Sequence, residues 1–393
     1  MTQFLRIPLP FSLLALMTLL LLPPGSAPCA ADGVAPDEIT FGQSAAFEGP
    51  SAALGEGMRD GILAAFDEVN RKGGIAGRKL RLISYDDGYQ PAMAIENVNR
   101  LITDDRVFAL AGFVGTPTSK AIAPIAAAEN IPLIGPFTGA GFLRDPRQKN
   151  VVNIRASYAE ETEAWVAHLT SDPGITRIAA FYQDDSFGRA GLDGVKAALE
   201  KRGLALVGEG RYMRNTTAFK RALLAIRSSN PEAVVMIGAY KASAEFIRQA
   251  RQLGLDVIFM NISFVGSKAL SAELEGEGKG VFVTQVVPFP DDMDIPLVRA
   301  YRKALTAYDP ALETGFVSLE GYLVGRFVAA VLENLGPEVT RAAFLKAIET
   351  TRKFDIDGLE LLFGPGDNQG LNRVFLTEIL GDGSFRAIDR LPE

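Results

Sequence analysis

Three hydroxyls cluster where an apolar run stops. VFALAG (107–112) leads into FVGTPTSKAIAP (113–124), so Thr116, Thr118 and Ser119 stand between a strand-like and a helix-like run. In an open α/β sheet ligands lie beyond the carboxyl ends of the strands, and the first amides of the following helix favour an anion. Helix capping by Thr or Ser explains the same residues without a ligand. A phosphate loop would need G-x-x-x-x-G-K-[ST], and that spacing is absent; Lys120 falls within the helix and is expected to face solvent.

The residues of other chemistries are few. His168, in AEETEAWVAHL (159–169), is the one histidine, and it is expected to be partly exposed. Cys29 is the one cysteine, and there is no Gly-x-Ser-x-Gly elbow. Zinc sites, Cys-His catalysis and a serine nucleophile are therefore not expected; neither is a metal, a cofactor or an enzyme. Trp165 reads as a packing residue, and YDDGY (85–89) as surface hydrogen bonding at a lobe edge. Asp184 and Asp185 precede a helix, and one of them is expected to cap it.

These residues need a scaffold, and the chain has ample material for one. It has 393 residues, 48% of them hydrophobic, enough for two lobes. A formal charge of -7 argues against nucleic acid as a partner. Arg6, the apolar FSLLALMTLLLL (11–22) and the small residues of PPGSAPCAAD (23–32) form a secretory pattern, with cleavage expected after Ala31. A lipid anchor on Cys29 is the alternative, and Pro28 directly before it argues against that reading.

Beyond residue 36 strands and helices alternate. EITFG (38–42), LRLISYD (80–86), VFALAG and IPLIG (131–135) alternate with helical patterns through Met58–Val69, Ala92–Leu101 and 118–129. A second series starts near 151 with VVNIRAS and a helix at 159–170, then has strands RIAAFYQ (177–183), LALVGEG (204–210), EAVVMIG (232–238), DVIFMN (256–261) and GVFVTQVV (280–287). Helices are expected at 187–201, 216–229 and 242–253, then at 295–308, 316–335 and 340–350. VFLTEIL (374–380) and FRAI (385–388) flank Gly-Asp-Gly as a hairpin. Such alternation predicts parallel sheets covered on both faces.

The blocks GxxAAxxxVNxxGGIxGRKLxLxxYDD (61–87), VFALAGFVGTPTSKAIAPIAAAENIPLIGP (107–136), IAAFYQDDSFGRAGLDGVKAAL (178–199), AVVMIGAY (233–240) and EFIRQARQLGL (245–255) together resemble the leucine/isoleucine/valine-binding family of periplasmic solute-binding proteins, which serve ABC importers. The resemblance implies the type I periplasmic binding fold: two Rossmann-like α/β/α lobes joined by a multi-strand hinge, with ligand between them. Lobe 1 would comprise 37–156 and 287–372, and lobe 2 would comprise 157–286 and 373–393, after a signal peptide at 1–31. It further implies delivery of a small molecule to a membrane permease, with a sensing module for a receptor or kinase as the alternative; a monomer is the default expectation.

The resemblance also assigns roles. Thr116 matches a serine that holds the ligand carboxylate, which leaves Thr118 as the cap. Thr138 and Gly139 fall in a loop that adds a hydroxyl and backbone contacts, with Phe137 as a wall. Phe187 and Tyr240 match aromatic positions in the second lobe. Ser263 stands where amino-acid binders carry a glutamate for the ligand's ammonium, and Leu54 replaces an aromatic. Burying an ammonium without an acid partner costs several kcal/mol. Unless Asp185 or another acid takes the glutamate's place for an amino-acid-like ligand, the expected ligand is a carboxylate without an α-ammonium, aromatic or branched, or a neutral amide.

Overall fold

The computed structural model describes residues 1–2, 32–336 and 338–392. The expected signal segment, its cleavage point and Cys29 lie outside the described residues.

The first half alternates β1 (Glu38–Ala45), α1 (Ala52–Arg71), β2 (Lys79–Asp86), α2 (Pro91–Thr103), β3 (Ala109–Ala111), α3 (Thr116–Ala128), β4 (Leu133–Ile134) and β5 (Val151–Val152). The five strands form one parallel sheet in the order β2-β1-β3-β4-β5. Its short inner strands are buried throughout, as parallel strands covered on both faces must be.

The second half runs α4 (Tyr158–Ser171), β6 (Ile178–Gln183), α5 (Ser186–Glu200), β7 (Gly208–Tyr212), α6 (Lys220–Ser228), β8 (Ala233–Ile237), α7 (Tyr240–Gln252), β9 (Ile258–Asn261), α8 (Ser267–Leu274) and β10 (Val281–Gln285). Three helices follow: α9 (Pro296–Tyr308), α10 (Phe316–Leu335) and α11 (Arg341–Thr351). Then come the strand pairs β11 (Lys353–Ile356) with β12 (Leu359–Leu362), and β13 (Phe375–Ile379) with β14 (Phe385–Ile388). The second sheet has the order β14-β13-β10-β9-β8-β6-β7, parallel except for the C-terminal hairpin. All five residues of β8 (AVVMI) are buried, and each aliphatic side chain so placed contributes about 1.5–3 kcal/mol. Phe181 stacks on Phe246 at 4.1 Å and on Tyr212 at 5.0 Å, which ties β6 to its covering helix and neighbouring strand.

The two sheets are the centres of two lobes. Helices α9 and α10 return to pack on α1, so the chain leaves the first lobe after β5, returns after β10 and leaves again before β13. The first crossing ends in a capping box. Ser157 Oγ accepts from the Glu160 N–H at 3.2 Å, and the Glu160 carboxylate accepts from the Ser157 N–H at 2.6 Å. Such a cap stabilises a helix start by about 1 kcal/mol.

Several boundaries differ from the sequence reading. The LALVGEG strand begins only at Gly208, where the ladder to β6 pairs Ala179 with Gly208 and Gln183 with Tyr212. The helix expected at 216–229 shortens to Lys220–Ser228. In VVNIRAS only Val151–Val152 is strand, because the rest is the crossing. Helix α8 and the hairpin β11–β12 carry no expectation from periodicity.

Candidate functional site

Strand ends of the two lobes meet through the rings of Phe137, Phe187 and Phe264, and of the opening motif's hydroxyls Thr116 joins that group. Gly115 precedes α3 with φ 106°, and a Cβ on it would lie 2.2 Å from the Tyr89 ring. Only glycine combines that backbone with that approach. No side chain caps α3. The Thr118 hydroxyl instead donates back to the carbonyls of Val114 (2.6 Å) and Gly115 (3.0 Å), so the reading of Thr118 as the cap is corrected. Thr116 Oγ1 lies 2.7 Å from Thr138 Oγ1 and 3.5 Å from the Tyr158 hydroxyl, all three fully buried. Burial raises the Tyr158 phenol above its usual range, against the pull of the Arg155 charge, so it is a neutral hydroxyl. An uncapped helix start with three hydroxyls can donate several hydrogen bonds to one anion.

Gly139 belongs to this group for a reason of space. A Cβ there would stand 2.5 Å from the Tyr158 ring and 2.6 Å from its nitrogen, whose N–H donates to the Gly139 carbonyl at 2.7 Å. Glycine is thus required by the close approach of Tyr158; its φ is not positive, so conformational freedom is not the cause.

Aromatic rings surround the hydroxyls. Phe264, which follows Ser263, packs its ring 4.5 Å from Phe187, 5.3 Å from Phe137 and 5.9 Å from Tyr89. Tyr158 and Phe187 lie 5.5 Å apart. Phe137 and Phe187 therefore join the cluster together with three rings that sequence reasoning missed: Tyr89, Tyr158 and Phe264. Tyr240 is placed apart. Its hydroxyl faces the Ala53 N–H at 3.5 Å, beside Leu54 and Gly266, and among the described residues it makes no ring contact with the cluster. A cavity of about 630 Å³ opens alongside, lined by residues including Ser51, Gln183, Tyr212, Asn215 and Lys241. Gln183 connects the two, donating to the Tyr89 hydroxyl at 3.4 Å.

The surface reading of YDDGY is overturned. Asp87 is fully buried, accepts from the Ser44 hydroxyl at 2.7 Å, and accepts from the Tyr89 N–H at 2.8 Å. Burial raises its carboxyl to about 6, against the hydrogen bond from Ser44. The segment follows β2, so the strand-end rule that singled out Thr116 also applied here. The other secondary readings hold: Asp185 caps α5 through the Phe187 N–H at 2.9 Å, and Lys120 is exposed. Trp165 is buried with its indole on Thr284 at 3.1 Å, and His168 is partly exposed beside Asp172.

Ser263 is where the structure adds most. Its N–H and hydroxyl donate to the Glu161 carboxylate at 2.9 and 2.8 Å, and Thr284 donates to the same carboxylate at 2.6 Å. The position therefore has an acid beside it, supplied by α4. That acid also pairs with Arg155 at 3.4 Å, and Arg155 reaches the Ser263 hydroxyl as well. Arg155 Nη1 lies 3.6 Å from Glu320. Burial pushes the Glu320 carboxyl up to about 7, with Arg155 opposing and Glu161 reinforcing the shift. Burial also disfavours the Arg155 charge, but Glu320 and Glu161 hold it in place. Sequence signals for both residues existed: each is a lone charge in an apolar stretch (VVNIRA and VSLEGYLVG).

Residues 38–384 match the family model described as periplasmic binding protein. A crystal structure described as a possible leucine/isoleucine/valine-binding protein from Rhodopirellula baltica SH 1 is 40% identical. It aligns over 92% of this chain and 98% of that one, with a TM-score of 0.86. The leucine-specific-binding protein of Salmonella typhimurium is 24% identical over 335 residues, 85% of this chain and 87% of that protein. A fatty acid ABC transporter substrate-binding protein from Thermomonospora curvata shares the fold at a TM-score of 0.84 and 20% identity, over 92% and 93% of the two chains. A two-lobed α/β scaffold with strand ends facing across a cleft is that of the type I binding proteins. This chain belongs to the periplasmic binding protein family, in the leucine/isoleucine/valine-binding group, whose members bind substrates for importers and are not enzymes.

Proposed function

We propose that this protein captures a small carboxylate-bearing solute lacking an α-ammonium and delivers it to an ABC permease. The observation that carries this reading is the buried Thr116–Thr138 hydroxyl pair, 2.7 Å apart at the uncapped start of α3 and ringed by aromatics of both lobes. Thr116, Thr138 and the loop at Phe137–Gly139 hold the carboxylate, while Phe187 covers the organic part. Tyr240 and Ser263 act at the margin of the site. Two acids that could accept an ammonium are already engaged. Glu161 is held by Arg155, Ser263 and Thr284, and Asp185 by the Phe187 N–H and by Gln183 at 2.7 Å.

Lobe 1 (37–156 with 287–372) and lobe 2 (157–286 with 373–393) close about the crossings, and ligand favours the closed form by its extra contacts there. The leader is cleaved after Ala31, and the mature chain works as a monomer. A thermal-shift panel of amino acids, aromatic acids, branched acids and amides tests the reading. Acids raise the melting temperature, because ligand binds only the folded chain. Thr116→Val removes that response, weakening acid binding about 10- to 100-fold for a lost hydrogen bond to a charged group. Leucine binding more tightly than every acid would refute the reading.

A further inference from the structure

We propose that Arg155 is itself a ligand-binding residue and that it selects 2-oxo acids, an inference that rests on the carboxylate reading above. Arg155 is 1% exposed, and its guanidinium lies 4.7 Å from the ring centre of Phe137, the neighbour of Thr138. It therefore sits beside the hydroxyl pair, on the wall of the aromatic cluster. Its contacts leave it incomplete: Nη2 serves Glu161 and Ser263, while Nε and Nη1 are buried without a hydrogen-bond acceptor. Glu320 does not supply one, since it stays 3.6 Å from Nη1.

Buried polar groups almost always have partners, so two orphaned donors on one buried cation call for an acceptor. The protein is also rigid there. Arg144 donates to the carbonyls of Ala140 (3.0 Å) and Arg155 (2.9 Å), pinning the 138–144 loop to the crossing that carries Arg155.

The ligand's second carbon follows from this arrangement. With the carboxylate on Thr116 and Thr138, the atom attached to that carbon comes to the Phe137 side of the site, where the Arg155 guanidinium lies. An ammonium there would bring three more donors to a place whose unmet groups are themselves donors. A methylene would leave the orphaned N–H groups unmet. A 2-oxo oxygen is an acceptor without a proton, and the planar oxo-acid unit matches flat aromatic walls. A guanidinium also offers two N–H groups in a fixed plane, which lysine cannot reproduce.

Calorimetric titration of the purified chain with two matched sets tests this. The first set is phenylpyruvate, phenylalanine and 3-phenylpropanoate; the second is 4-methyl-2-oxopentanoate, leucine and 4-methylpentanoate. The oxo acid in the better-fitting set should bind about 10-fold or more tighter than the unsubstituted acid, the gain of a charge-assisted hydrogen bond. The amino acid should bind weakest. Arg155→Lys should reduce the oxo-acid advantage to about threefold or less. Equal binding of oxo and unsubstituted acids, or an equal loss of both in Arg155→Lys, would overturn the assignment. If the variant does not fold, equal binding of oxo and unsubstituted acids by the native chain still overturns the proposal. Thr116→Val separates the two ideas. If it spares every acid while the oxo preference persists, the hydroxyl anchor is wrong and Arg155 stands. If none of the six compounds binds, both fall.

Discussion

Glu320 provides a test of the buried charge cluster that needs no ligand. Its carboxyl rises from 4.5 in the unfolded chain to about 7 when folded, chiefly through burial. The folded protein therefore binds a proton that the unfolded chain has already released, and stability from this group falls as pH rises from about 4.5 to about 7. A shift of that size corresponds to about 3 kcal/mol, lost by neutral pH. For a chain of this length, with an unfolding entropy of about 2 cal/mol/K per residue, that is roughly 4 °C in melting temperature. Glu320→Gln removes the titration and keeps the shape. The two proteins should melt together near pH 4.5, and the variant should melt roughly 4 °C higher at pH 7.5. Asp87, raised from 3.8 to about 6, tilts both curves in the same sense, so the difference between them isolates Glu320. Calorimetric scans at half-unit pH steps give the curves. Parallel curves would refute the argument, because they would mean that Glu320 keeps its charge at no cost beside Arg155.

Gly139→Ala places a methyl 2.5 Å from the Tyr158 ring, so urea denaturation should show a loss of about 1–3 kcal/mol. Acid affinity should fall with it, as Tyr158 leaves Thr116. Phe264→Ala removes the ring between Phe137 and Phe187 and should lower stability by about 3 kcal/mol or somewhat less where water enters. Titration should then show acids with larger hydrophobic ends gaining affinity relative to smaller ones. Trp165→Phe removes the indole N–H that Thr284 accepts and leaves unfilled volume at a fully buried position; a loss of about 2 kcal/mol or more is expected in the same urea assay.

The local sequence determined a good deal by itself. Runs such as AVVMI and the helical spacing of Met58, Ile62, Ala65 and Val69 specify strands and helices wherever they are buried, because periodicity and burial report the same face. A strand end followed by a helix start marked Thr116, and the family resemblance marked Thr138 and Phe187; that the Thr138 hydroxyl lies against Thr116 came with the structure. What the sequence could not hold is which distant charges meet. Ser263 reads as the absence of an acid, yet Glu161 arrives 102 positions away to fill that place. Glu320 stands as a lone charge in an apolar helix, and nothing in the sequence says that Arg155, from the first crossing, lies against it. Tyr89 reads as a surface turn residue, yet its ring lies under Phe264. Periodicity encodes the direction of a side chain within its own element. Its electrostatic surroundings come from the packing of two lobes, and only the tertiary structure decides those.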